Sequence, residues 1–238
     1  MDFPPKAPID RPASYPGEPP PRTCVLTGDR LWETAGPEEL DAVLHRLGAA
    51  PIRSRTPVLA VGSNASAAQM RRKLEPLDHW AVPTTPVAVT GVAACFSAHV
   101  SAPGYVPYAP VSSEGRTNEF HLQWLEEAQL ELVDATEPNY ERVEVPASES
   151  YPVRTAAGRT VPGVRLYAGR HGVIGDRSGR PIPAGGQDAA LGLVSRALGA
   201  RVSHRDLAAD AGLREAATAA LARLAVADGL PRSGPTDG

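Results

Sequence analysis

The residues best placed to do chemistry follow an apolar run. Val58, Leu59, Ala60 and Val61 end abruptly in Gly62-Ser63-Asn64, and a helix-forming segment with Ala67, Ala68, Gln69 and Met70 begins at once. A strand that breaks into a tight loop and a helix start leaves backbone N–H groups pointing over the loop, where a carboxylate or a developing oxyanion can be held. Gly62 lets the backbone approach such a guest closely. Ser63 lies in Val-Gly-Ser-Asn-Ala, not the Gly-x-Ser-x-Gly of a hydrolase nucleophile, so hydrogen bonding from the loop is its expected role. The six histidines (45, 79, 99, 121, 171 and 204) show no ligand spacing, so no metal site is expected. Glu137 sits in the turn-rich Asp134-Ala-Thr-Glu137-Pro138-Asn139-Tyr140 and by itself reads as a solvated turn residue. Glu126, Glu127 and Glu131 read as exposed helix positions, and Asp134 as a turn or cap group.

Those residues need a scaffold, and the patterning supplies one. Pro57–Val61 predicts the first strand of the core, and a helix from Asn64 or Ser66 to Leu74 follows, with either side chain as its cap and Pro76 as its stop. Arg71, Arg72 and Lys73 fall in its last turn, where they complement the dipole and read as a solvated trio. Further strands are predicted over 87–100 with a bulge at Gly91, over 105–112, over 118–125, over 141–145 and over 160–167. A helix over 126–133 presents Leu125, Ala128 and Leu132 inward. Ahead of this core, Pro37 to Gly48 has a proline start, acids in its first turn, and Leu40, Val43, Leu44 and Leu47 on one face. Behind it, a loop over 172–186 leads into Ala/Leu helices. One starts at Asp188 with Leu191, Val194 and Leu198; one is capped by Ser203 with Asp206; one runs over 213–227 with Leu213, Ala217, Leu221 and Leu224. The chain divides into a Pro-rich disordered tail (1–22), an N-terminal helical extension packing on the core (23–55), the core (56–170), and a loop plus C-terminal helical extension (171–238).

Bulk properties narrow the function classes. The 238 residues carry a formal charge of −3, from 24 basic and 27 acidic side chains, which provides no field for steering nucleic acid or an anionic membrane. The C-terminal segment has the loose shape of a helix-turn-helix, but its six arginines meet six acids, so packing or a homo-oligomer contact is the reading for these helices. Eight of the first 22 residues are proline (4, 5, 8, 12, 16, 19, 20 and 21), which favours polyproline II or disorder. Cys24 and Cys95 form no motif and read as buried free thiols, suited to a reducing cytoplasm. No signal peptide or membrane-spanning run is evident, so a cytoplasmic protein with no membrane partner is expected.

Three features now line up in order: strand-Gly62-Ser63-Asn64-helix; Tyr108-Ala109-Pro110-Val111 ahead of Gly115; and Leu132-Val-Asp134-Ala-Thr-Glu137-Pro-Asn-Tyr140-Glu-Arg142-Val143-Glu-Val145. Over about residues 56–168 this resembles the γ-glutamylcyclotransferase-like family, whose members carry a Tyr-Gly-Ser-Asn loop and a Leu-Asp-x-x-Glu-Gly segment. Val61 stands where the family has tyrosine, and Pro138 where it has glycine. The strand at 118–125 lacks the family's glycine near its start. The resemblance implies an α+β fold, a mostly antiparallel β-barrel with short helices, flanked here by N- and C-terminal helices. It also implies a cyclotransferase that cleaves a γ-glutamyl amide by attack of the substrate's own α-amine, releasing 5-oxoproline and an amine or peptide. Glu137 matches the catalytic acid/base. Val61, Gly62, Ser63, Asn64, Tyr140 and Tyr167 match or flank the substrate-binding positions, and neither metal nor organic cofactor is required. Two alternatives stand beside it: a non-catalytic binding or regulatory protein that retains the fold, motivated by Val61, Pro138 and the appended helices, and an amidohydrolase.

Overall fold

The computed structural model describes residues 6–145, 152–155 and 158–230. Strand β1 (Cys24–Thr27) turns through Gly28–Arg30 into β2 (Leu31–Glu33), and a single 3-10 turn at Pro37–Glu39 leads into helix α1 (Leu40–Arg46). Strand β3 (Thr56–Ala60) precedes a 3-10 turn at Ser63–Ala65 and helix α2 (Ala67–Lys73). Two long strands follow, β4 (Ala81–Phe96) and β5 (Tyr108–Leu125), then helix α3 (Glu127–Ala135) and strands β6 (Tyr140–Glu144), β7 (Val153–Thr155), β8 (Arg165–Gly169) and β9 (Val173–Ile174). Helices α4 (Gln187–Leu198), α5 (His204–Ala209) and α6 (Ala211–Ala222) and the short strand β10 (Ala225–Val226) complete the described chain.

The eight-stranded sheet runs β2-β1-β4-β5-β3-β8-β6, with β7 paired to β4; every pairing is antiparallel except β3 with β8. This is the expected α+β architecture with a mostly antiparallel sheet. It does not close: among the described residues the path ends at β2 and β6, so in place of the barrel expected from the resemblance there is an open sheet. The β4–β5 register shifts between Thr90 and Gly91, where the backbone takes φ +86°. That is the predicted bulge, and it joins the two segments expected at 105–112 and 118–125 into one strand.

Three further differences follow from packing. Residues 24–33, expected within a helical extension, form a hairpin that extends the main sheet, because Val25 and Leu26 are fully buried against β4. Helix α3 turns Gln129, Leu130 and Val133 inward and leaves Ala128 exposed, so its buried face lies a position or two from the one expected. Glu126 closes a capping box with Gln129 and pairs with the wholly buried Arg55, and those contacts set the rotation of the helix. The third difference concerns the Pro-rich segment. Residues 6–22 lie along the body, with Ala7 and Tyr15 only 4% and 5% exposed. Proline has little unfolded-state entropy to lose, so docking such a segment costs less than its composition suggests.

The core is divided around the sheet. One cluster holds Leu59, Leu122, Phe120 and Trp124 under α1; a second holds Met70, Leu74, Leu130 and Tyr167 beneath α2 and α3. A third joins α4 to α6 through Val194, Leu207, Ala217 and Leu221 to Phe96 and Ile174. Ser203 and Asp206 form the predicted capping box, whereas Leu224, expected on the apolar stripe, lies beyond α6 and is 42% exposed. Cys24 and Cys95 are buried free thiols. No described helix is long and apolar enough to cross a membrane.

Leu122 is fully buried where β5 crosses both β3 and β4. Leu122→Ala is expected to lower unfolding stability by about 3 kcal/mol in urea titrations; a loss under ~1 kcal/mol would contradict this packing.

Candidate active site

A cavity of about 480 Å³ opens between the end of β3, helix α2 and the turn after α3. Gly62, Ser63 and Asn64 form one wall and Glu137 faces them, so the two stretches singled out in the sequence meet across some seventy residues of chain. Asn64 Nδ2 donates to Glu137 Oε1 at 3.1 Å. From below, buried Gln123 of β5 donates through Nε2 to the Asn64 carbonyl at 2.9 Å, which fixes the loop on the sheet. Neither Asn64 nor Ser66 caps α2 through its side chain, contrary to expectation; Asn64 is committed to Glu137.

The second correction is Lys73. Expected in a solvated trio, it is 8% exposed, and its Nζ donates to Glu137 Oε1 at 2.6 Å. Arg72, from the same turn, reaches Asp10 of the N-terminal segment at 2.8 Å. Lys73 lies at the margin of the stripe Ala67, Met70 and Leu74, so its burial was not readable from spacing. The ammonium sits against the glutamate because each charge compensates the other's loss of water.

Five of the chain's six tyrosines line the cavity. Tyr140 and Tyr167 are both among them, but their hydroxyls are already engaged. Tyr140 donates to the Tyr108 carbonyl at 2.9 Å, and Tyr167 donates to Asp134 Oδ1 at 2.7 Å. Asp134, expected as a turn or cap group, lies in the last turn of α3 and also accepts from Arg142, so it anchors a small network. Val61, the remaining expected position, lines the cavity with an apolar side chain. Tyr15 and Tyr105 were not expected; their rings stack at 4.4 Å, and burial foremost, with the Glu137 charge adding to it, raises both phenols above their ordinary range, Tyr105 to about 12.

At the rim, His99 is 3% exposed, hydrogen-bonded through Nδ1 to Ser97 Oγ at 2.7 Å, and stacked on His171 at 4.6 Å. Burial, and secondarily the neighbouring His171, lower its pKa to about 3. His171 Nε2 donates in turn to Asn139 Oδ1, two residues from Glu137.

No protein-family model matches the chain. No curated protein matches it either. Solved structures do: one titled a γ-glutamyl cyclotransferase (15% identity, 48% of this chain, 65% of that one, TM-score 0.38), a solution structure from Arabidopsis thaliana (20%, 48%, 62%, 0.37), and an uncharacterized protein from Homo sapiens (18%, 48%, 66%, 0.38). The chain thus spans less than two thirds of each of these three proteins. At these TM-scores the likeness is partial, and the functional reading is carried by the site's own geometry.

A histidine held neutral in the folded state costs stability when the unfolded chain can take up the proton. Stability from this source is present above the ordinary histidine pKa of about 6.5 and is lost as pH falls from there toward 3. His99→Gln is therefore expected to shrink the loss between pH 7.5 and 5.5 by about 1 kcal/mol in thermal or urea unfolding; an unchanged pH slope would show that His99 takes up its proton equally in the folded and unfolded chain, contradicting this reading.

Proposed function

We propose that the protein is a cyclotransferase acting on γ-glutamyl amines or peptides, with Glu137 as the acid/base. One observation carries this reading: a largely buried carboxylate and a strand-end Gly-Ser-Asn loop face each other across one cavity, joined by the Asn64–Glu137 hydrogen bond. The reaction asks for little else. The substrate brings its nucleophile with it, so folding it into a near-attack conformation supplies much of the effective molarity. Glu137 takes a proton from the α-ammonium group, and the freed amine attacks the γ-carbonyl carbon. The loop holds the carboxylate or the developing oxyanion. As the γ C–N bond breaks, Glu137 returns its proton to the leaving nitrogen. The ring nitrogen of 5-oxoproline keeps one of the ammonium's three protons, and the other two leave with the amine product.

Lys73 belongs to this account as the group that holds the carboxylate in place; an incoming ammonium group meets the same oxygens. The same pair supports a second reading, a binding protein without turnover, because the carboxylate oxygen that would receive the substrate's proton already accepts a hydrogen bond from the lysine at 2.6 Å.

Incubation with a panel of γ-glutamyl amines, γ-glutamyl dipeptides and glutathione, read by mass spectrometry, separates the readings. The expected result is 5-oxoproline from at least one compound and a loss of at least about 10²-fold in rate for Glu137→Gln. Release of glutamate would identify a hydrolase. Binding without any product would favour the non-catalytic reading.

A further inference from the structure

The segment expected to be a tail reaches the candidate site. Ile9 and Tyr15 line the cavity, and Asp10 ties the segment to Arg72, whose neighbour Lys73 holds Glu137. Tyr15 is buried between two other tyrosines, stacked on Tyr105 and edge-on to Tyr108 at 4.9 Å. Its hydroxyl accepts the Tyr108 N–H at 3.0 Å and lies over the Gly62 turn, where any Cβ on residue 62 would collide with it. The absence of a side chain at Gly62 therefore makes room for the phenol.

The hydrogen-bond inventory of the cavity is incomplete in an informative way. A phenol that accepts one N–H retains its own proton to give, and among the described residues no acceptor takes the Tyr15 proton. Also lining the cavity, on the loop side chain that bonds Glu137 and on α2, Asn64 Oδ1 and Gln69 Oε1 are buried acceptors without a described partner, and Gln69 as a whole is only 6% exposed. Buried polar groups are ordinarily paired, so unspent groups of this kind describe what a ligand brings. The complementary molecule has an oxygen acceptor at the Gly62 turn and an N–H or ammonium donor near Glu137.

We propose that Tyr15 is a substrate-positioning residue: the N-terminal segment forms a wall of the site, and the Tyr15 hydroxyl donates to a ligand oxygen seated at the Gly62-Ser63-Asn64 loop. The choice of γ-glutamyl compounds as that ligand rests on the cyclotransferase reading; the place of Tyr15 in the wall does not. A carboxylate or amide carbonyl satisfies the donor, and the α-ammonium of the same molecule satisfies the acceptors opposite. The rival role for a buried N-terminal tyrosine is a plug that keeps ligands out, and it predicts the opposite response to truncating the side chain.

The test is calorimetric binding of the same γ-glutamyl panel to Glu137→Gln protein, which suppresses turnover, with and without Tyr15→Phe and Tyr15→Ala. Rates of 5-oxoproline release are measured in parallel on protein with Glu137 intact. The expected result is about tenfold weaker binding for Tyr15→Phe, the scale of one hydrogen bond, with a lowered but still cooperative melting transition because the Tyr108 N–H loses its acceptor, and a raised KM where turnover is seen. Tyr15→Ala should bind more weakly still. Equal affinity for Tyr15→Phe overturns the proposal, and tighter binding or faster turnover for Tyr15→Ala establishes the plug instead. Tyr15-dependent binding with no 5-oxoproline from native protein upholds Tyr15 and refutes the cyclotransferase. Turnover indifferent to Tyr15 does the reverse. Failure of every compound to bind the Glu137→Gln protein, together with no binding and no turnover of any by protein with Glu137 intact, overturns both.

Discussion

The buried pairing of Lys73 with Glu137 is the constraint around which the cavity is built. Its two side chains are 5% and 16% exposed and their charged atoms lie 2.6 Å apart. A carboxylate taken that far out of water needs a compensating charge, and removing one member of such a pair typically costs several kcal/mol. The requirement reaches outward into the fold. It brings the C-terminal turn of α2 against the turn after α3, two segments that share no strand pairing. It also orients Asn64, whose amide supplies a further donor to the same oxygen.

What surrounds the pair is rigid where it must be. The Gly62 loop is fixed from beneath by Gln123 on the sheet's longest strand. The turn bearing Glu137 is held by backbone bonds from Glu137 N to the Asp134 carbonyl and from Tyr140 N to the Glu137 carbonyl, both at 3.0 Å. Asp134 is itself gripped by Arg142 and Tyr167. Function at a loop is credible when elements of this kind hold it, because a site displaced by an ångström loses much of its positioning advantage. The C-terminal helices pack through Phe96, Val106 and Ile174, and Tyr108 Oη donating to the Gly185 carbonyl at 2.6 Å links the segment before α4 to the cavity wall.

Much of the fold was legible because its signals are local. The apolar run before Gly62, the alternation of Phe120, Leu122 and Trp124, the bulge at Gly91 and the Ser203–Asp206 capping box each declare themselves within a few residues. The candidate site was half legible. Gly62, Ser63, Asn64 and Glu137 carry spacing and context, whereas Lys73 and Tyr15 act through partners far away in sequence. A lysine in a last helical turn reads as solvated unless an acid is known to lie opposite, and here the acid comes from another element. Tyr15 was hidden by the prolines around it, whose composition resembles a tail although their stiffness lowers the entropy lost on docking. The hydroxyls of Tyr140 and Tyr167 illustrate the converse: the sequence placed the rings near the site but could not reveal that Tyr108 and Asp134 had already engaged them.

The central claim is that a γ-glutamyl guest sits between the Gly62 loop and Glu137. It is tested most directly by following backbone amide chemical shifts as 5-oxoproline and γ-glutamylalanine are titrated into isotopically labelled protein. The account predicts saturable shifts concentrated at Gly62, Ser63, Asn64 and Glu137, with smaller ones at Tyr105 and Tyr140. Shifts confined to the face made by α4, α5 and α6, or none at saturating ligand, would contradict it.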